Sequence, residues 1–243
     1  MIEKEIELHA PVSKWLEEKG CDVQAEVNSV DLVGLLGNEV VVAVELKKKL
    51  NLEVINQAVE RQKYASLTYI AVEHDYKSVE SKRFKMTKST LRRLKIGLLT
   101  VNFRSEIPVV YEQIKAEVMP EDGQSKRGQK LKNQLIKEFR GRKSGHFNKG
   151  GSVKTQVMTA YKETCLKLAW IIHQEGQMST KAIRSQFPDL KSCTSYLNAN
   201  HYRWFQRVER GVYRLTQTGE EALNMYPYVI EFFERQLKSD ADV

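Results

Sequence analysis

Long apolar runs are missing from this chain. No stretch of its 243 residues is long enough to cross a bilayer, so a membrane-embedded protein is not expected. Cysteine is scarce as well. Cys21, Cys165 and Cys193 form an odd set with no paired spacing, which argues against a disulfide framework and against a zinc site. A reducing cytosol is the natural compartment for such a set. The opening Met-Ile-Glu-Lys-Glu-Ile-Glu has neither the basic nor the apolar region of a signal peptide, so a cytoplasmic protein is expected. His9, His74, His146, His173 and His201 show no metal-ligand spacing. Neither a Gly-rich phosphate loop nor a Ser/His/Asp pattern is present, and no internal repeat is visible.

What the chain has is core-forming material and an uneven charge. Hydrophobic residues make up 41% and aromatics 9%, which argues for packed cores over disorder. The formal charge is +8, and it favours an anionic partner such as nucleic acid. Between Gln124 and Thr155 lie ten lysines and arginines against one acid, Glu138. That stretch alone exceeds the charge of the whole chain, so the basicity is local. Such a block reads either as a solvated linker or as a non-specific phosphate clamp. Lys126, Arg127, Arg140, Arg142 and Lys143 are its candidate phosphate contacts. Phe139, Phe147 and His146 are candidates to stack on bases. Gly141, Gly145, Gly150 and Gly151 make its second half flexible.

Before the block, the pattern is that of a mixed α/β domain. Glu3 to Gly20 is amphipathic, and a helix there either starts near Pro11 or kinks at it. Strands are expected over 22–27, 30–35 and 39–46, the last two joined at Gly37-Asn38. A helix over 51–66, with Leu52, Ile55, Ala58 and Val59 as its buried stripe, precedes a buried strand over 68–72. A polar helix over 78–94 and a strand over 96–101 follow. This order predicts a three-layer α/β sandwich around a mixed sheet, spanning residues 1–118. Residues 119–154 form the basic connector, and 155–243 a second domain.

In the second domain, helices are expected over 158–174, from Ser179 or Thr180 to about 187, and over 190–198. A hairpin over 205–208 and 212–215 and a last helix starting at 216 complete the outline of a winged helix. Lys191, Arg203, Arg207, Arg210 and Arg214 are its candidate phosphate contacts. Trp204, Phe205 and Tyr213 are read as core.

The sharpest motif is Val-Val-Ala-Val-Glu-Leu-Lys, ending at Lys47. Residues i and i+2 of a strand share a face, so Glu45 and Lys47 stand side by side with Leu46 turned away. Asp31 lies on the neighbouring predicted strand. Two carboxylates and an ammonium at one sheet end suit a divalent cation and a phosphate. Magnesium takes oxygen ligands and only one or two protein carboxylates, here Asp31 and Glu45. The Leu46 carbonyl becomes a further ligand if its strand pairing ends there. Lys47 orients a water or meets the phosphate as a point charge.

On these residues the chain resembles the PD-(D/E)XK nuclease superfamily, whose motif is an acid on one strand and Glu-X-Lys on the next. More particularly it is similar to a group of PD-(D/E)XK-type phosphodiesterases. The resemblance is carried by Glu5-Ile-Glu-Leu-His-Ala-Pro-Val, Val44-Glu-Leu-Lys, Asn56-Gln-Ala-Val-Glu-Arg, Gly97-Leu-Leu-Thr-Val and the long stretch from Asn200 to Thr216. Val30 stands where the family's name has proline. The resemblance implies a restriction-endonuclease-like fold and Mg²⁺- or Mn²⁺-dependent cleavage of nucleic acid, most simply DNA. It also implies an acid from the first helix, with Glu5 the first choice and Glu7 the second, and a supporting glutamine, Gln57. Gln57 and Arg61 share a helix face, which is either an exposed polar face or one that looks across the cation to a phosphate. Superfamily nucleases often dimerise to cut both strands, so a homodimer is among the expected states. The rival expectations are a non-catalytic DNA-binding protein that keeps the nuclease shell, and a regulatory module whose winged helix contacts protein.

Overall fold

In the computed structural model, residues 2–76, 81–119, 125–143, 148, 150 and 157–241 are described. The chain divides into two compact units. The first comprises Met1–Arg140 and Asn148–Val157, the second Gly141–Phe147 and Met158–Val243.

The first unit is built on six strands whose sheet order follows the chain: β1 (Asp22–Val27), β2 (Val30–Leu36), β3 (Val40–Lys47), β4 (Leu67–Glu73), β5 (Gly97–Asn102) and β6 (Val109–Ile114). β1, β2 and β3 form an antiparallel meander, β3, β4 and β5 run parallel, and β6 returns antiparallel. The two parallel steps need crossovers, and helices supply them. They are α2 (Leu52–Arg61) between β3 and β4, and α3 (Lys82–Arg93) between β4 and β5. Asn51 and Ser81 start these helices, their side chains accepting from the N–H groups of Val54 and Phe84.

One face of the sheet is covered by α1 (His9–Glu18). A single 3-10 turn, Glu5–Leu8, precedes it, and Pro11 sits in the first turn of α1, where its missing N–H costs nothing. Leu8, Val12 and Leu16 are fully buried against Leu32, Val44, Leu46 and Leu99. Burial of each such side chain is worth about 1.5–3 kcal/mol.

The opposite face is covered by α2, α3 and α4 (Lys126–Gly141). Here the sequence reading needs three corrections. In α2 the buried residues are Val54 and Ala58, with Ile55 half-buried, whereas Leu52 is 72% exposed and Val59 lies outside. The face that meets the sheet carries the 54, 58, 61 series, and the apolar residues off that series stay in water. Second, β6 is a strand the sequence pattern hid, because only its last residue, Ile114, is buried and the alternation is broken.

Third, the basic stretch is not a bare connector. Leu131, Leu135, Ile136 and Phe139 of α4 pack with Val33, Leu35, Val41 and Ala43 of β2 and β3. The first unit therefore continues to Arg140 rather than stopping near residue 118. Phe139 is 5% exposed and its carbonyl accepts from Gln24 Nε2 at 2.8 Å, so it is a core residue and not a base-stacking one. Gly128 lies so close to the Lys63 carbonyl that a Cβ would fall 2.2 Å from it, which seats the start of the helix. Expectations resting on Ser78, His146, Phe147, Lys149 and Lys154 lie outside the described residues.

The second unit is ordered α5 (Ala160–Glu175), β7 (Gln177–Ser179), α6 (Thr180–Gln186), α7 (Cys193–Ala199), β8 (Phe205–Glu209), β9 (Val212–Leu215), α8 (Gln217–Met225) and α9 (Pro227–Ala241). Its small antiparallel sheet runs β7-β9-β8. β7 is too short to announce itself in the sequence. The last helix is two helices, broken where Pro227 follows Tyr226. Thr159, Ser179 and Thr216 cap α5, α6 and α8. Leu166, Trp170, Ile183, Leu197, Phe205 and Tyr213 are among the buried residues of its core. Trp204, Phe205 and Tyr213 are buried, as read from the sequence. Asn200 ends α7 in the left-handed region and pairs its side chain with both backbone groups of Phe205. That double bond fixes the entry into β8. All three cysteines are buried and free. No described helix is long and apolar enough to cross a membrane.

Candidate active site

The β2–β3 register puts Leu32 against Val44 and Val33 against Ala43. One step further, Asp31 comes opposite Glu45, and here the ladder opens. The Leu46 N–H is taken by the Asp31 side chain instead, at 2.8 Å from Oδ2. On its other side Leu46 still pairs with Ala71 of β4, so its strand pairing ends only toward β2. The tight turn Asn28-Ser29, both at positive φ, returns β1 into β2 just before Asp31. Glu26, opposite Asp31 on β1, is also at positive φ, a strained backbone next to the carboxylate pair.

Glu45 is 3% exposed, and its carboxyl comes close enough to that of Asp31 for a hydrogen bond between them. Burial first, and the Asp31 charge second, push the Glu45 carboxyl up to about 7, against the pull of Arg61. Arg61 Nε lies 2.7 Å from Glu45 Oε1. The rest of its guanidinium is spent on the Ser29 carbonyl at 2.6 Å and the Tyr64 hydroxyl at 3.2 Å. Arg61 is thus a clamp on the site rather than a free phosphate contact, and Tyr64 is the packing residue that steadies it. Sequence reasoning put Arg61 on the right helix face but had no signal for its partner, sixteen residues upstream.

Lys47 projects from the same face of β3 as Glu45. Its Nζ lies 3.8 Å from Glu5 Oε2 and 4.0 Å from Glu53 Oε1. Glu5 also accepts the Lys48 N–H through Oε1 at 3.3 Å, which ties the 3-10 turn to the end of β3. Glu7 is engaged elsewhere. Its Oε1 accepts the N–H groups of Glu3 and Lys4 at 2.8 Å, and the Lys4 bond is the main reason its carboxyl is held below the usual range. Of the two acids proposed from the first helix, only Glu5 reaches the motif. Gln57 lies half-buried on α2, one turn before Arg61.

Gly150 is a neighbour that the sequence did not flag. A Cβ there would fall 2.3 Å from the Asp31 carbonyl oxygen and 3.3 Å from a Leu46 methyl. Only glycine lets that backbone press on the strand carrying the carboxylate.

The basic candidates separate. Lys126 and Arg127 are exposed on α4. Arg140 donates to the carbonyl and Oδ1 of Asn38 at 3.0 Å. Arg142 is 7% exposed, which does not fit a surface phosphate contact. Lys143 pairs with Asp189 at 3.2 Å, beside Lys167 at 2.7 Å. Lys191, Arg203, Arg207, Arg210 and Arg214 are exposed on the second unit. Arg214 donates twice to Gln206 across the β8–β9 pair.

A donor set of two carboxylates and nearby strand backbone suits a magnesium-like cation, which keeps several waters and takes few carboxylates. Their mutual repulsion, visible in the raised Glu45, is what a cation relieves. Among the described residues no group of three His, Cys, Asp or Glu forms, so a zinc-type cage is not present there.

A mixed sheet with an acid on one strand and Glu-X-Lys on its neighbour defines the PD-(D/E)XK class of α/β protein. The comparison with known families agrees. Residues 99–222 match the family described as "Putative PD-(D/E)XK phosphodiesterase (DUF2161)", and the chain belongs to it. The match runs from β5 to α8, so the placement of Asp31, Glu45 and Lys47 rests on the geometry above. No curated protein and no solved structure matches the chain.

Proposed function

We propose that this protein is a metal-dependent phosphodiesterase that cuts nucleic acid, with DNA as its substrate. The observation that carries the reading is the meeting of Asp31 and Glu45 where the β2–β3 ladder opens, with Lys47 on the same face.

Asp31 and Glu45 would hold Mg²⁺ or Mn²⁺. Such an ion neutralises charge on the phosphate and lowers the pKa of a bound water. Asp31 is oriented for this role by the Leu46 N–H. Arg61 keeps the buried Glu45 from being an isolated charge. Lys47, held by Glu5 and Glu53, orients the attacking water or meets the phosphate. Gln57, one turn from Arg61, supports the same edge.

The second unit is read as a winged-helix-like DNA reader. The order α5-β7-α6-α7-β8-β9, the exposed Ser195 and Asn198 of α7, and the exposed arginines of the β8–β9 hairpin support that reading.

A second reading has one observation in its favour. Arg61 already neutralises Glu45, as a binding protein that retains a nuclease shell would arrange. Plasmid nicking decides between the two. The catalytic reading expects Mg²⁺-dependent nicking that Glu45→Ala and Lys47→Ala each abolish. Tight DNA binding without cleavage of duplex DNA, single-stranded DNA or RNA favours the binding protein.

A further inference from the structure

The charge block that looked like a connector is a helix with two faces. Leu131, Leu135, Ile136 and Phe139 are spent on β2 and β3, the strands that carry Asp31 and Glu45. The other face is open to solvent and carries Lys126, Gln129, Lys130, Asn133, Gln134 and Lys137. Every one of these six is exposed. None of them is a carboxylate. The cations recur at positions 126, 130 and 137, and the other members are amides, which donate and accept without adding charge.

The spacing sets the kind of partner. At 1.5 Å per residue, Lys126 and Lys137 stand about 16 Å apart along the helix axis. That is about the rise of five base pairs at 3.4 Å each. A row of flexible ammonium groups separated by amides has the chemistry to follow regularly spaced phosphates without reading bases.

We infer that the outer face of α4 binds the phosphate backbone of duplex nucleic acid through Lys126, Lys130 and Lys137, independently of sequence. The inference deepens the phosphodiesterase reading by naming the surface that holds the polymer beside the cutting strands. α4 is seated by its apolar face, so the lysines are presented on a rigid element. Arg140 and Lys132 are not part of the surface: Arg140 is bonded to Asn38 and Lys132 is buried.

The test is the salt dependence of binding to a short duplex, measured on the full chain. The variants are the triple Lys126→Gln, Lys130→Gln, Lys137→Gln and the triple arginine replacement. Each neutralised phosphate contributes about 0.9 to the slope of log affinity against log salt. The glutamine triple should therefore lower the slope by about 2.7, equally for unrelated sequences, while the arginine triple keeps it. Hydrolysis of a small nitrophenyl phosphodiester, too short to reach α4, should be unchanged in both. An unchanged slope in the glutamine triple, or no duplex binding by the natural chain at low salt, overturns the inference. Loss of the small-diester reaction in the natural chain speaks against the phosphodiesterase reading and not against this surface.

Discussion

Arg61 and Glu45 face each other across 2.7 Å, a nearly buried carboxylate under a guanidinium that is itself held by Ser29 and Tyr64. The pair joins α2 to β3 at the point where Asp31 adds a second negative charge. Removing Arg61 leaves two adjacent carboxyls with less to offset them. Arg61→Leu should cost about 3 kcal/mol of stability, near the lower end for a broken buried pair, because Glu45 can escape by keeping a proton. Urea denaturation of metal-free protein measures it, and a loss under about 1 kcal/mol contradicts a structural role for the clamp.

Glu45 also ties stability to pH. Its folded carboxyl holds a proton up to about 7, whereas the unfolded one releases it near 4.5. Between those values the folded state binds more protons, so stability falls as pH rises through the window and levels off above it. The whole fall is on the order of 3 kcal/mol. Denaturation in metal-free buffer from pH ~5 to ~8 should show this slope, and Glu45→Gln should flatten it. A slope unchanged in Glu45→Gln would assign it to another group.

The two acids of the first turn should behave differently. Glu5 touches Lys47 and the Lys48 N–H, so Glu5→Gln should lower turnover by about tenfold or more through a misplaced Lys47. Glu7 accepts the backbone N–H groups of Glu3 and Lys4, within its own turn. Glu7→Gln should leave turnover intact. Equal losses in the two variants, measured on nicked plasmid, would contradict the division of roles.

Gly150 makes a prediction that involves no charge. The methyl of Gly150→Ala would meet the Asp31 carbonyl and has no flexible side chain to displace. The strand or its neighbour must shift, at about 1–3 kcal/mol, and turnover should fall although every polar residue is retained.

The strands were readable because period-two alternation and an unbroken Val-Val-Val-Ala-Val run leave few alternatives. β1 spans Asp22–Val27 as expected, and β2 and β3 differ by one residue at their ends. With those strands placed, the meeting of Asp31 and Glu45 follows from hairpin register. The charge block was harder. Leu131, Leu135 and Phe139 recur every four residues inside a run of lysines, and composition outweighed period. The exposed edge strand β6 gave no alternation to read. Arg61 on Glu45 and Gly150 on Asp31 are contacts made by folding, between residues that no local pattern connects.

Whether Asp31 and Glu45 hold a cation is decided by diffraction from crystals soaked in Mn²⁺. One strong anomalous peak is expected, bound by the carboxylates of Asp31 and Glu45 and absent in Glu45→Gln. No peak at that position, with Arg61 still seated on Glu45 at saturating Mn²⁺, would contradict cation binding there.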